Sequence, residues 1–152
     1  MPGNRLTLTP ALLARLTAHH GYGVAATLSA SFSAGAPWPI SVVSSATPVL
    51  SGANGSTSGL TIPAQFRGDV PATVEARYAD GSNAGPNSWT AFQGFDSDFV
   101  PDYAHSTLTL TPDFFKGIKQ GAPVTLTVRF WSGAAVTYHL TAWGTSVTGT
   151  SS

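Results

Sequence analysis

Thr125-Leu126-Thr127-Val128-Arg129-Phe130 alternates polar and apolar residues with a period of two, and this stretch decides the fold. In an extended strand successive side chains point to opposite faces, so Leu126, Val128 and Phe130 are assigned to a core and Thr127, Arg129 and Trp131 to the outside. Ser132-Gly133 then turns the chain. On the return strand Val136, Tyr138 and Leu140 face in, and Thr137, His139, Thr141 and Trp143 face out. Arg5-Leu6-Thr7-Leu8-Thr9 alternates in the same way. So does Ala72-Thr73-Val74-Glu75-Ala76-Arg77-Tyr78, with Asp80-Gly81 placed to turn it. Two segments, Pro10 to Leu16 and Pro112 to Ile118, start with Thr at the N-cap and Pro at the first helical position, a favoured helix start. Many short strands between glycine and proline turns predict an all-β fold, an immunoglobulin-like β-sandwich with one or two short helical turns.

One of those helical starts is a repeat of the other. Leu6-Thr7-Leu8-Thr9-Pro10 recurs verbatim as Leu108-Thr109-Leu110-Thr111-Pro112. Farther on, Leu28-Ser29-Ala30-Ser31-Phe32-Ser33-Ala34-Gly35 lines up with Leu126-Thr127-Val128-Arg129-Phe130-Trp131-Ser132-Gly133, and Ile40-Ser41-Val42 with Tyr138-His139-Leu140. Only the second copy has a long, aromatic-rich stretch before it. The expected organisation is a partial immunoglobulin-like module over 1–45 and a complete β-sandwich over 46–145. A linker and first strand region occupies 46–60, rich in Ser, Gly, Asn and Thr, and a flexible tail covers 146–152. The partial module leaves strand edges unpaired, which makes a homodimer through it a further expectation.

Composition narrows the partner. Of 152 residues, 42% are hydrophobic and only 9% charged, with seven Lys and Arg against seven Asp and Glu. No basic run exists to neutralise phosphates or to meet an anionic bilayer, so neither nucleic acid nor membrane is expected as a partner. Without Cys there are no disulfides and no thiolate metal sites. No apolar stretch approaches the roughly 20 residues of a membrane span. The first residues carry no signal-peptide pattern, and the expectation is a piece of a larger protein. A neutral partner, or none, fits best.

The residues around 88–140 carry a more specific signal. The repeated unit resembles the C-terminal half of the X2 immunoglobulin-like modules of cellulases and scaffoldins. Ser88-Trp89-Thr90-Ala91-Phe92-Gln93-Gly94-Phe95-Asp96-Ser97-Asp98-Phe99 and Arg129-Phe130-Trp131-Ser132-Gly133 resemble family 46 carbohydrate-binding modules. In that family the module follows an immunoglobulin-like domain in family 5 glycoside hydrolases acting on β-1,4-glucans. The resemblance implies a non-catalytic module that binds plant cell-wall β-glucan (cellulose, xyloglucan or mixed-linkage glucan). It also implies an upstream hydrolase domain, secretion from a bacterium, and no cofactor.

A pyranose presents a face of C–H bonds that stacks on a rigid aromatic while its hydroxyls keep polar partners. Trp89 and Trp131 are the candidate platforms, and which one is the main platform stays open. Tyr103, Gln93, Asp96 and Arg129 are candidate partners for sugar hydroxyls. Phe92, Phe95 and Phe99 read as core, as do Trp38, aligned with Val136, and Tyr138. Asp96, Asp98 and Asp102 admit a catalytic pair or calcium in principle, but loop capping is the default. His19-His20 stands without the further ligands of a metal site, and neither a metal nor catalytic residues are expected. The rival to sugar binding is a structural spacer or domain-docking module, and exposure of Trp131 discriminates the two.

Overall fold

The computed structural model describes residues 5–85, 92–93 (backbone only) and 97–152, and the chain divides into two compact units, Met1–Ala46 and Thr47–Ser152.

The first unit is one helix and one hairpin. Helix α1 (Pro10–Thr17) starts where Thr9 Oγ1 accepts the Leu12 N–H at 3.2 Å, and Pro10 sits in the first turn, where its missing N–H has no partner to lose. Strands β1 (Gly23–Ala30) and β2 (Trp38–Ser44) pair antiparallel, with Leu28 opposite Ile40. Among the described residues of this unit only Val42 is buried.

The second unit is a β-sandwich. One sheet has six strands: β4 (Ala53–Ser56), β12 (Ser146–Ser151), β11 (Ala135–Trp143), β10 (Val124–Phe130), β6 (Pro71–Tyr78) and β7 (Phe92–Gln93), in that spatial order. The other has four: β3 (Val49–Leu50), β5 (Leu60–Gln65), β9 (Thr107–Leu110) and β8 (Phe99–Asp102). Alternation drives the packing. Val124, Leu126, Val128 and Phe130 of β10 meet Val74 and Ala76 of β6 and Tyr138, Leu140 and Ala142 of β11 in a continuous buried core. Leu60, Ile62, Leu108, Leu110 and Phe99 close it from the second sheet. At 112–118 the N–H groups of Phe114, Phe115, Lys116 and Ile118 each bond the carbonyl three residues back, at 3.1–3.3 Å, so this segment is a run of tight turns. It seats Phe114 and Phe115 in the core, edge to face at 5.1 Å.

The repeat is visible in the pairing. Leu28 faces Ile40 and Ala30 faces Trp38; ninety-eight residues later Leu126 faces Tyr138 and Val128 faces Val136. The two hairpins therefore share one register.

Three expectations are corrected. Trp38 is 68% exposed and is not core. Among the described residues no second sheet covers its hairpin within its own unit, and its ring packs in a T-shape with Phe32, centroids 5.9 Å apart at 72°. Arg5 to Thr9 is not a strand, although Thr107–Leu110, nearly the same sequence, is β9. In the second unit β5 and β8 flank that sequence and satisfy its backbone; in the first no strand does among the described residues. The stretch 46–60, expected as a linker and first strand region, contains β3 and β4. Residues 146–151, expected to fray, form β12, hydrogen-bonded on both sides by β11 and β4.

Candidate functional site

The most exposed large hydrophobic side chain described is Trp131, at 78%, one residue beyond the buried Phe130. Strand alternation forces this outward position, and the turn then holds it. Gly133, at φ +93°, lets the chain reverse with Phe130 N–H bonded to Ala134 O at 2.9 Å and Gly133 N–H to Phe130 O at 3.0 Å.

A buried carboxylate ties this hairpin to the segment before β6. Asp69 Oδ1 accepts the N–H of Val70 at 2.9 Å and of Ser132 at 3.2 Å, while Oδ2 accepts the Ser132 hydroxyl. Ser132 Oγ in turn accepts the Ala134 N–H at 3.1 Å. Beside it the Trp131 N–H donates to Val70 O at 3.0 Å. The indole is thus carried by a backbone anchored at two points, which removes much of the ordering cost of a later contact.

Val70 also lines a shallow cleft of about 370 Å³, together with Phe66, Arg67, Gly68, Asp69, Tyr103 and Ser106. Tyr103 is half exposed and its ring leans on Phe66, centroids 4.9 Å apart. Arg67 reaches Thr47 O and Gln65 Oε1, both at 3.3 Å. Arg67 (φ +50°) and Ser106 (φ +54°) are the only non-glycine residues with left-handed backbone among the described residues. Both lie on this cleft, and strained backbone concentrates at sites held for a purpose.

The structure therefore brings Trp131 and Tyr103 to one end of the sandwich, linked through Val70. Arg129 is on the same outward face two residues before Trp131, near Glu75 (4.0 Å), which is paired more closely with Arg77 at 2.7 Å. Trp89, Asp96 and the Gln93 side chain lie outside the described residues, as do Phe95 and the Phe92 side chain. Phe99 is fully buried and Asp98 nearly so. Asp102 caps a turn: it accepts the His105 N–H at 3.0 Å and meets His105 Nδ1 at 2.7 Å. These bonds from His105, side chain first, hold the Asp102 carboxyl below its usual pKa. The role of Asp69 is not legible in the sequence, because Ser132 lies 63 residues away. The turn-forming Arg67-Gly68-Asp69 was the one local hint.

Chemically, a rigid solvent-facing indole beside a shallow, partly apolar cleft can take a flat ligand with an apolar face and a hydroxylated rim. Among the described residues no three His, Cys, Asp or Glu side chains are grouped to hold a metal ion.

Residues 46–150 match a family of carbohydrate-binding domains, CBM46. The chain is 42% identical to endoglucanase B of Paenibacillus lautus over 149 residues, 98% of its own length and 26% of that protein's. It superimposes on the full-length tri-modular endo-β-1,4-glucanase B (Cel5B) of Bacillus halodurans with a TM-score of 0.93, at 39% identity, covering 99% of this chain and 28% of that one. The isolated family 46 carbohydrate-binding module of that enzyme, 44% identical, aligns along its whole length with 70% of this chain at a TM-score of 0.67. The chain thus spans about a quarter of the length of the endoglucanases it matches, and the match coincides with their carbohydrate-binding part rather than a catalytic one. This chain belongs to the family 46 carbohydrate-binding domains.

Proposed function

We propose that this module binds neutral β-glucan (cellulose, xyloglucan or mixed-linkage glucan) by stacking sugar rings on Trp131, as an appendage of a bacterial endo-β-1,4-glucanase that is secreted. The observation that carries the reading is Trp131 itself: 78% exposed on a hairpin that Asp69 and Val70 hold in place. A module that only spaced its neighbours would gain nothing from a tethered, solvent-facing indole at this position. The two endoglucanases this chain resembles, and the isolated carbohydrate-binding module of one of them, support the same class of ligand.

Stacking one face of an indole removes roughly half of the 150–250 Å² such a side chain can bury, worth about 2–3 kcal/mol before ordering costs. Tyr103 and Arg129 supply hydroxyl and guanidinium partners at the rim, and Trp89, Gln93 and Asp96 are assigned to the same role from the sequence. A platform this open gives modest affinity. Its use is proximity, since holding a catalytic domain on an insoluble polymer raises the effective concentration of its next contact. Pairing of two copies along an edge of the β1–β2 sheet belongs to the same proposal, and a single monomeric mass by light scattering at high concentration would remove it.

Affinity gel electrophoresis on xyloglucan, barley β-glucan and hydroxyethyl cellulose tests the reading. Retardation of the chain, diminished in Trp131→Ala and Trp89→Ala with the far-ultraviolet spectrum unchanged, is the expected result. Free migration on all three gels would return the module to the role of a spacer.

A further inference from the structure

A second indole faces solvent at the far end of the same sheet. Trp143 closes β11 and is 67% exposed. It lies on glycine: a methyl group at Gly121 would stand 2.6 Å from Cη2, 2.7 Å from Cζ2 and 3.1 Å from Cζ3 of the indole. Those three adjacent ring atoms are nearly equidistant from the point where the methyl would sit, which places it over the ring face, not at its edge. One face of Trp143 is therefore backed by the Gly121 main chain, and the opposite face is open. Gly121 is held there by its N–H bond to Ala142 O at 2.7 Å and has φ +70°, a conformation that suits glycine. The loop after Trp143 is fixed as well, since Thr145 O accepts the Thr57 N–H at 2.9 Å. The backbone on both sides of the ring is thereby fixed, which lowers the ordering cost of a contact.

We propose that Trp143, backed by Gly121, is a second sugar-stacking platform that takes the open face of a pyranose in a neutral glucan chain. The inference rests on the glucan-binding reading and adds a subsite to it. Arg129, two residues before Trp131, pairs with Ala135 at the start of β11, and Trp143 is eight residues farther along that strand. The backbone from the Arg129–Ala135 pair to Trp143 is about 26 Å long at ~3.3 Å per residue, and Trp131 lies beyond its far end. The outward positions between them on β11 are Thr137, His139 and Thr141, and Ser146 and Thr148 face out beside Trp143 on β12. Those five positions carry no Asp, Glu, Lys or Arg, and the charged side chain beside them on β10 is Arg129, at the Trp131 end. A protein partner would call for further apolar groups around the tryptophan; hydroxyls and one imidazole suit a polyol. A glucan long enough to span these positions engages both platforms, whereas a short one engages either.

The test uses the whole chain and four variants: Trp143→Ala, Trp143→Phe, Gly121→Ala and Trp131→Ala. Trp143 is exposed, so its replacements should leave thermal unfolding unchanged. Retardation on xyloglucan gels is expected to weaken about tenfold in Trp143→Ala. The Phe variant should recover part of it, and Gly121→Ala, which crowds the backed face, should lose part of it. In parallel, the indole Nε1–H resonance of Trp143 in a ¹⁵N spectrum should shift on titration with cellohexaose. Binding of the wild-type chain that survives Trp143→Ala undiminished, with the Trp143 resonance unmoved, overturns the second platform and leaves the first. A wild-type chain that binds no glucan overturns the function reading and this inference together.

Discussion

Replacing Asp69 by Ala tests whether the Trp131 hairpin is held or merely present. The carboxylate is buried and accepts three bonds, from the Val70 N–H, the Ser132 N–H and the Ser132 hydroxyl. Hydrogen bonds to a charged group contribute about 1.5–3 kcal/mol net each. The donors lie near the surface, and water can replace part of what is lost. The expected cost is then about 2–4 kcal/mol, within the range of a broken buried network and below the total stability of an ordinary domain. Freeing the hairpin adds about 0.5–1.5 kcal/mol of ordering to any contact by Trp131, which weakens glucan binding roughly 2- to 12-fold. Asp69→Asn keeps one acceptor oxygen and should fall between wild type and Ala. Urea unfolding followed by near-ultraviolet dichroism measures the first effect, and titration with soluble xyloglucan the second. A loss under about 0.5 kcal/mol, the level of an indifferent surface change, would refute the anchoring argument.

Four further outcomes are expected. Gly149→Ala should destabilise by about 1–3 kcal/mol in thermal or urea unfolding, because the added methyl would stand 2.5 Å from the ring and hydroxyl of the fully buried Tyr138, which has nowhere to move. Leu126→Ala in the core should cost about 2–5 kcal/mol, whereas Trp38→Ala should cost far less, because its ring is mostly in solvent already. Burial raises the phenol pKa of Tyr138 above its usual 10.0, with the Ala53 backbone acting in the opposite direction. The folded state thus favours the neutral phenol: that stability is present below pH 10 and is lost as the pH rises through the folded value. An alkaline unfolding transition that Tyr138→Phe leaves unchanged would count against it. Bonds from Ser82 and from His105 lower the carboxyls of Asp80 and Asp102 below the usual 3.8, so their contribution is present above that pH and lost on acidification through the folded values.

What the sequence disclosed and what it hid follow from the range of the interactions. The β10–β11 hairpin was legible because its alternation is local. Leu126, Val128 and Phe130 are buried, Arg129 and Trp131 are exposed, and Tyr138 is in the core. The repeat was legible for the same reason, and the shared register bears it out. Its limit appears at Trp38. Alignment with Val136 transferred the inward assignment, but whether a strand position is buried depends on a covering sheet that alternation does not report. The pentapeptide at residues 6–10 makes the same point, being unpaired there and part of a strand at 108–112. The Gly/Ser/Thr composition of 51–59 and 145–152 suggested linker and tail, yet each supplies a strand, because pairing with β11 and with each other outweighs weak propensity. Asp69 with Ser132, and Gly121 with Trp143, are contacts between distant or unlike segments, and no pattern in the chain announces them.

Calorimetric titration of the whole chain with xyloglucan, beside Trp131→Ala, tests the central claim most directly. The account predicts a saturable heat for the wild type with a negative heat-capacity change, the mark of apolar burial, and at least a tenfold loss of affinity, about 1.4 kcal/mol, in the variant. A variant that titrates like wild type would contradict it, because the sugar would then be held somewhere other than the hairpin the fold presents.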